Sequence, residues 1–229
     1  MNATKDRDSE ELREHLRLAM VPGVGPLLRM RLLAEFESPH QVFQAKCRDL
    51  QNVSGVGAKL AQSIIQSSST IDVDQQIEIA ANNNVHILLE SHDDYPPLLK
   101  EIHDPPGVIF SLGKLQSIDQ LAVAIVGTRH ATNYGKQQAK QLATQLALAG
   151  ITVVSGLARG IDTVAHQSAL AAGGRTVAVL ANGVLKPYPP ENTELAQQIA
   201  AQGCVLSEAT PTQPPRSGMF PQRNRIISG

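Results

Sequence analysis

Leu121-Ala-Val-Ala-Ile-Val-Gly-Thr-Arg-His-Ala-Thr-Asn-Tyr-Gly135 is the stretch on which the reading of the fold turns. Leu121 to Val126 is a continuous apolar run rich in β-branched residues, the pattern of a strand buried on both faces of a parallel sheet. Gly127 to Gly135 then brings a flexible turn, small hydroxyls and the guanidinium of Arg129 to where a following helix exposes unpaired N–H groups. Tyr134 to Ala149 has helical periodicity and stops at Gly150. A second strand, Ile151 to Val154, runs into Ser155-Gly-Leu-Ala-Arg-Gly-Ile-Asp162, and a helical stretch from Thr163 to Ala172 follows. Two such glycine turns at the carboxyl edge of a parallel sheet predict an anion-binding crevice.

The alternation continues towards the C-terminus. Arg175 to Leu180 reads as a third parallel strand, Glu191 to Ala201 as a helix ended by Gly203, and Cys204 to Ser207 as a fourth strand. Repeated strand–helix units with short loops mean an α/β fold, a parallel sheet with helices on both faces. Four loops, 127–134, 155–162, 182–190 and the proline-rich 209–221, converge on one edge. They carry Arg129, Arg159, Lys186 and Arg216 and lead into Arg223 and Arg225, with Asp162 and Glu208 as the nearby acids. The apolar run at Arg225-Ile-Ile-Ser-Gly229 predicts that more sheet strands follow.

Towards the N-terminus the pattern changes to all-helical. Ser9 to Met20 reads as an amphipathic helix with an acidic first turn. Val21-Pro-Gly-Val-Gly25 and Val53-Ser-Gly-Val-Gly57 then repeat one motif, each ahead of a helical run. This is the pattern of a helix-hairpin-helix, in which glycine lets backbone N–H groups approach a DNA phosphate, so Gly23, Gly25, Gly55 and Gly57 are candidate backbone contacts. Arg29, Arg31, Lys46, Arg48 and Lys59 against Glu35, Glu37 and Asp49 add a weak positive excess. The same glycines also suit tight helix packing in a protein-interaction bundle. A helical domain over 1–75 and an α/β domain over 76–229 are expected, with short strands at Val85–Leu89 and Gly107–Leu112 in the connector.

The 229 residues are 42% hydrophobic and 18% charged, an ordinary globular composition. The polar N-terminus lacks the apolar core of a signal peptide and no segment is apolar enough to span a bilayer, so a cytoplasmic location is expected. Cys47 and Cys204 lie far apart and read as reduced thiols, and the seven histidines show no metal-site spacing. Residues 1–120 hold 11 Lys and Arg against 17 Asp and Glu, a net of −6, whereas residues 121–229 hold 9 against 4, a net of +5. That asymmetry points to a polyanion-binding C-terminal half.

Dinucleotide binding needs Gly-x-Gly-x-x-Gly after the first strand and an acid after the second, and neither is present. A Walker A loop and a Gly-x-Ser-x-Gly elbow are missing too. N–H groups, hydroxyls and guanidinium groups suited to phosphate remain, with no evident nucleophile and base; Asp162 and His166 at i, i+4 on one helix face admit a catalytic-pair reading, set against a capping acid and a surface histidine as the preferred one.

Gly127-Thr-Arg129 with Tyr134-Gly135, Ser155-Gly-Leu-Ala-Arg-Gly-Ile-Asp162 and Phe220-Pro-Gln-Arg-Asn-Arg-Ile-Ile-Ser-Gly229 together resemble the DNA-processing protein A family, DprA or Smf. The resemblance implies an extended Rossmann-like domain that binds and protects single-stranded DNA in natural transformation, forms a homodimer, helps load the RecA recombinase, and has no established catalytic activity or cofactor. It places a phosphate on Arg129 and the backbone of Gly127 and Thr128, with Ser155, Gly156 and Gly160 shaping the adjacent turn. Lys186, Arg223 and Arg225 would extend a cationic track, and Phe220 would offer a base-stacking platform. Other readings stand beside these: Arg129 bracing its loop on Asp162, Arg225 paired with Asp162 or Glu208, and Phe220 as core. Thr128 replaces the family's usual serine, and Ala181-Asn-Gly-Val-Leu-Lys-Pro-Tyr-Pro189 departs from its third loop by lacking a glycine and an aspartate. The rival function is a nucleotide N-glycosidic hydrolase of a related Rossmann-like fold, whose Pro-Gly-Gly-x-Gly-Thr loop does not occur in this sequence.

Overall fold

Val21-Pro-Gly-Val-Gly25 and Val53-Ser-Gly-Val-Gly57 fold into the same turn twice. The structure, a computed structural model, describes residues 2–229. In each repeat the second valine N–H donates to the first valine carbonyl at 3.0 Å, and the intervening glycine is left-handed, φ +97° at Gly23 and +99° at Gly55. Side chains other than glycine rarely adopt that backbone, so the repeat is a steric requirement. The repeats lie among helices α1 (Asn2–Met20), α2 (Pro26–Phe36), α3 (Pro39–Gln44), α4 (Cys47–Gln51), α5 (Ala58–Thr70) and α6 (Val73–Asn82). Val21, Val24, Val53 and Val56 point inward with Leu18, Leu32, Val42, Leu50 and Ile64. Gly25 and Gly57 begin α2 and α5 without a side-chain cap, and a Cβ on either would meet nothing within 4 Å.

By its contacts the chain divides into two compact units. One holds residues up to Glu78 with Leu89–Asp93 and His103–Val108; the other holds Ile79–Leu88, Asp94–Ile102 and Ile109–Gly229. Within the first unit Arg29 is buried, its Nη1 2.5 Å from Glu90 Oε2 and its Nη2 3.3 Å from His15 Nδ1. Burial and the Arg29 charge hold the His15 imidazole down to about 4. Arg29 therefore adds nothing to a positive surface in this region; buried that deep, it is paired with the Glu90 carboxylate.

The second unit carries β1 (Val85–Leu89), α7 (Pro97–Lys100), β2 (Val108–Gly113), β3 (Ala122–Ala124), α8 (Asn133–Leu148), β4 (Thr152–Ser155), α9 (Ile161–Ala171), β5 (Thr176–Leu180), α10 (Thr193–Gln202), β6 (Cys204–Ser207) and α11 (Met219–Ser228). The sheet order is β1-β2-β6-β5-β4-β3. Strands β3 to β6 are parallel, with Ala122 beside Thr152, Val154 beside Val177 and Ala178 beside Val205, and β2 extends this core antiparallel to β6. One face of the sheet packs Val177, Val179 and Leu206 against Ile226 and Ile227 of α11. The opposite face packs Val153 against Ala143 and Ala147 of α8 and Ala165 and Ala169 of α9. Helices cover both faces, the α/β architecture expected, and period-two alternation along the strands sorts the two cores.

One expectation is corrected here. The run Leu121 to Val126 is not buried on both faces: β3 is the last strand in the order, and Leu121, Val123 and Val126 are exposed. An apolar run reports strand propensity, and the number of neighbours is a property of the sheet. The apolar run at the end of the described residues belongs to helix α11, with Ile226 and Ile227 buried against the sheet. Among the described residues no helix is long and apolar enough to cross a membrane, and no group of His, Cys, Asp and Glu is placed to hold a metal.

Candidate functional site

Asp162 ties the first two loops together. Standing in the first turn of α9 and buried, it accepts the N–H of Gly156 at 3.1 Å and of Ala158 at 3.3 Å, with the backbone of Gly127 also donating. Burial raises its carboxyl above the ordinary range, and the N–H groups pull the other way. Gly160, at φ +79°, closes the same junction, since a Cβ there would lie 2.2 Å from the Thr128 carbonyl oxygen and 2.8 Å from that of Arg129. The Ser155 hydroxyl donates to the Ile125 carbonyl at 2.6 Å, so it shapes the turn and is not a ligand group.

The third and fourth loops are locked on in turn. Asn192 Nδ2 donates to the Leu157 carbonyl at 2.9 Å and to Thr163 Oγ1 at 2.8 Å. Gly183 and Leu185 donate their N–H groups to the Gln213 and Pro211 carbonyls, each at 2.9 Å. Loops held this way present a fixed surface at the carboxyl ends of the parallel strands.

On that surface Arg129 is exposed and, among the described residues, forms no salt bridge. Its guanidinium lies over the half-buried Phe220 ring, 5.4 Å from the centroid, and Phe220 in turn meets Tyr188 at 5.9 Å and 60°. Arg129, Arg159, Gly156, Ala158, Tyr188 and Phe220 line one narrow cleft. Beside it the α8 N-terminus is capped by Thr132, whose Oγ1 accepts the Gly135 N–H at 3.1 Å, and Thr128 Oγ1 accepts the His130 N–H at 3.2 Å. Thr128 therefore spends its hydroxyl inside the loop. The helix still adds a positive end to a site with an uncommitted guanidinium, a combination suited to phosphate.

Arg159 lines the same cleft paired with Glu191, which raises the guanidinium and lowers the carboxyl. Lys186 is exposed in the third loop. The alternative in which Arg129 braces on Asp162 is not realised, because Asp162 accepts backbone N–H groups and Arg129 stacks on Phe220.

Other expected residues are placed differently. Arg223 is only 7% exposed, and its Nη1 donates to the Gly156 carbonyl at 2.8 Å and to the Val179 carbonyl. It braces the second loop from inside the molecule and is not on the cationic track; burial lowers its pKa. Gly156 makes room for it, since a Cβ there would lie 2.5 Å from the guanidinium. Arg225 takes the acid-paired reading, with Nη2 2.6 Å from Glu208 Oε2. His166, expected at the surface, is fully buried with Nδ1 2.7 Å from Thr176 Oγ1. The Thr176 hydroxyl donates to the Val153 carbonyl at 2.6 Å, so its oxygen accepts from His166 Nδ1–H, and burial with the nearby Arg223 pushes this imidazole down to about 3. Sequence patterns give no role to Tyr188, Glu191 and Asn192, because neither composition nor periodicity tells which way a side chain in a loop or at a helix start faces.

Comparison with known proteins finds relatives of both parts of the chain. The pattern of the family described as DNA recombination-mediator protein A matches residues 86–229, and that of the SAM-like helix-hairpin-helix tandem matches residues 16–68. Protein Smf of Synechocystis is 42% identical over 218 residues, 93% of this chain and 55% of that protein. DNA processing protein DprA of Bacillus subtilis is 44% identical over 140 residues, 61% of this chain and 47% of that protein. The chain thus spans about half the length of the curated relatives it matches. The X-ray structure of DNA processing protein A from Streptococcus pneumoniae superposes with a TM-score of 0.75 at 29% identity, over 93% of this chain and 72% of that one. DNA processing protein A from Helicobacter pylori, whose structure concerns its mode of binding single-stranded DNA, gives a TM-score of 0.55 at 33% identity over 62% and 64% of the two chains.

Proposed function

This chain belongs to the DNA recombination-mediator protein A family, and from that premise we propose that it binds single-stranded DNA with little sequence preference, in the DNA processing of natural transformation and recombination. One observation carries the proposal: Arg129 stands exposed without an acid partner, held by Phe220 over the cleft beside the α8 N-terminus. A guanidinium there supplies a bidentate phosphate contact, and the Phe220 and Tyr188 rings offer base-stacking surface. The backbone of Gly127 and Thr128, with Lys186 at the rim, completes the contact, and Gly23, Gly25, Gly55 and Gly57 offer a second, backbone-only contact in the helical unit. Action in the cytoplasm as a homodimer that hands its strand to RecA belongs to the same proposal.

The hydrolase reading finds no support in the geometry. Asp162 and His166, the i, i+4 acid and imidazole of α9, are both buried, one on backbone N–H groups and the other on Thr176. The proposal is tested by titrating single-stranded and duplex oligonucleotides of mixed sequence at several salt concentrations. Log affinity for the single strand should fall with log salt by about 0.7 per phosphate contacted. Salt-independent affinity, or a requirement for one base sequence, refutes it.

A further inference from the structure

Helices α8 and α9 both start at the edge that carries Arg129 and Gly160, and they enclose an open groove of about 670 Å³. Its walls are Lys136, Gln137, Lys140 and Thr144 from α8 and Val164, Gln167 and Ser168 from α9. Neither the cleft residues nor the four loops contribute to it, so nothing in the proposed site accounts for it.

The electrostatics of this groove are one-sided. Helix α8 contains two lysines and no Asp or Glu, and the one acid of α9, Asp162, is buried on backbone N–H groups. Lys136 and Lys140 are both exposed and, among the described residues, neither forms a salt bridge. Standing one turn apart, they are spaced about 6 Å along the helix axis, comparable with the step between neighbouring phosphates of an extended strand. Tyr134, 73% exposed in the first turn of α8, stands between the Arg129 loop and these lysines in sequence and offers a ring face. Lysine charges, a largely apolar groove lining that includes Val164, Ala171 and Ala172, and an exposed aromatic suit a strand-tracking, sequence-tolerant surface.

The geometry points to the α8–α9 groove as a second nucleic-acid contact, in which Lys136 and Lys140 take the phosphates of the strand as it leaves the Arg129 cleft. This inference rests on the proposed binding of single-stranded DNA. It differs from it in consequence, because the groove is reached only by a strand long enough to run past the first loop.

The test compares a thymidine oligonucleotide of about 6 nucleotides with one of about 20, the first near the short end of single-strand site sizes and the second beyond their long end. The parent chain, Arg129→Ala, the double variant Lys136→Glu with Lys140→Glu, and the charge-keeping Lys136→Arg with Lys140→Arg are titrated at several salt concentrations. The Glu pair should weaken the long oligonucleotide about tenfold and make its log–log salt slope shallower by about 1.4, two single-strand phosphates' worth. Its affinity for the short one should stay within about twofold of the parent, and the Arg pair should behave as the parent with both. If Arg129→Ala weakens both oligonucleotides while the Glu pair leaves the long one unchanged, the groove inference is wrong and the proposed function stands. If the parent binds neither, both fall.

Discussion

The guanidinium carbon of Arg129 lies 5.4 Å from the centre of the Phe220 ring, joining the first loop of the sheet to the first turn of α11. Cation–π contact at an exposed site is worth about 0.5–1 kcal/mol, less than a charge-assisted hydrogen bond to phosphate, so the ring orients Arg129 without locking it. Arg129→Ala should cost about 1.5–3 kcal/mol of single-strand affinity, the range for hydrogen bonds to charged groups. Arg129→Lys should restore part of this, and neither should shift the melting temperature by more than a degree or two. Phe220→Leu should weaken binding less and lose most of its effect when Arg129 is already Ala, as titration of the double-mutant cycle would show.

Arg175 makes the useful contrast. It sits at the amino end of β5, with Nε 2.9 Å from Asp119 Oδ1 and Nη2 2.8 Å from Asp119 Oδ2, and it holds the Asp119 carboxyl below its usual range. Arg175→Ala should lower the melting temperature while leaving the affinity of the folded protein unchanged. Parallel thermal melts and titrations would separate this from the Arg129 effect.

Gly160→Ala should damage fold and site together. A methyl at φ +79° is strained, and it would meet the carbonyl oxygens of Thr128 and Arg129 at 2.2 and 2.8 Å, so the first loop must move. A loss of stability of about 1–3 kcal/mol is expected. Binding measured well below the melting point should also weaken, because Arg129 is displaced from Phe220.

Arg223→Met should behave opposite to Arg129→Ala. The substitution leaves the Gly156 and Val179 carbonyls without their donor inside the protein. Breaking such buried polar contacts costs about 1–3 kcal/mol for each group left unsatisfied. Denaturant unfolding should therefore show a clear drop in midpoint, and any loss of DNA affinity should disappear when corrected for the folded fraction.

His166 predicts how stability depends on pH. Its folded pKa, about 3, lies below the ordinary 6.5, so between these values the unfolded chain binds a proton that the folded one refuses. Its contribution is full above about pH 6.5 and is lost as pH falls, at up to about 1.4 kcal/mol per pH unit. Asp162 works the other way, because its raised carboxyl favours the folded state at acid pH. Melting temperatures between about pH 6.5 and 5, where the unfolded histidine takes up its proton, should fall more steeply for the parent than for His166→Gln.

Much of this molecule is legible in its sequence because the deciding features are local. The two glycine repeats ahead of α2 and α5 recur at one spacing and fold into one turn, since left-handed backbone at Gly23 and Gly55 is a property of the residue itself. The order of β3 to β6 and of the helices between them follows from runs of apolar residues broken by glycine. Arg129 follows too, since a charged residue three positions past the apolar run ending at Val126 must lie in the loop at that edge.

What only the tertiary structure decided is which charged side chains face water. Arg129 and Arg223 both sit in polar, glycine-bearing or arginine-rich stretches, yet one lies on the surface and the other is buried under the second loop. The difference is made by Gly156 and Val179, 67 and 44 residues before Arg223, whose carbonyls meet its guanidinium once α11 packs on β5. The burial of His166 against Thr176, the edge position of β3 and the pairing of Arg159 with Glu191 are of the same kind. Each depends on an element distant in the chain, and a side chain's solvation is set by what finally covers it, which periodicity and composition along the chain do not encode.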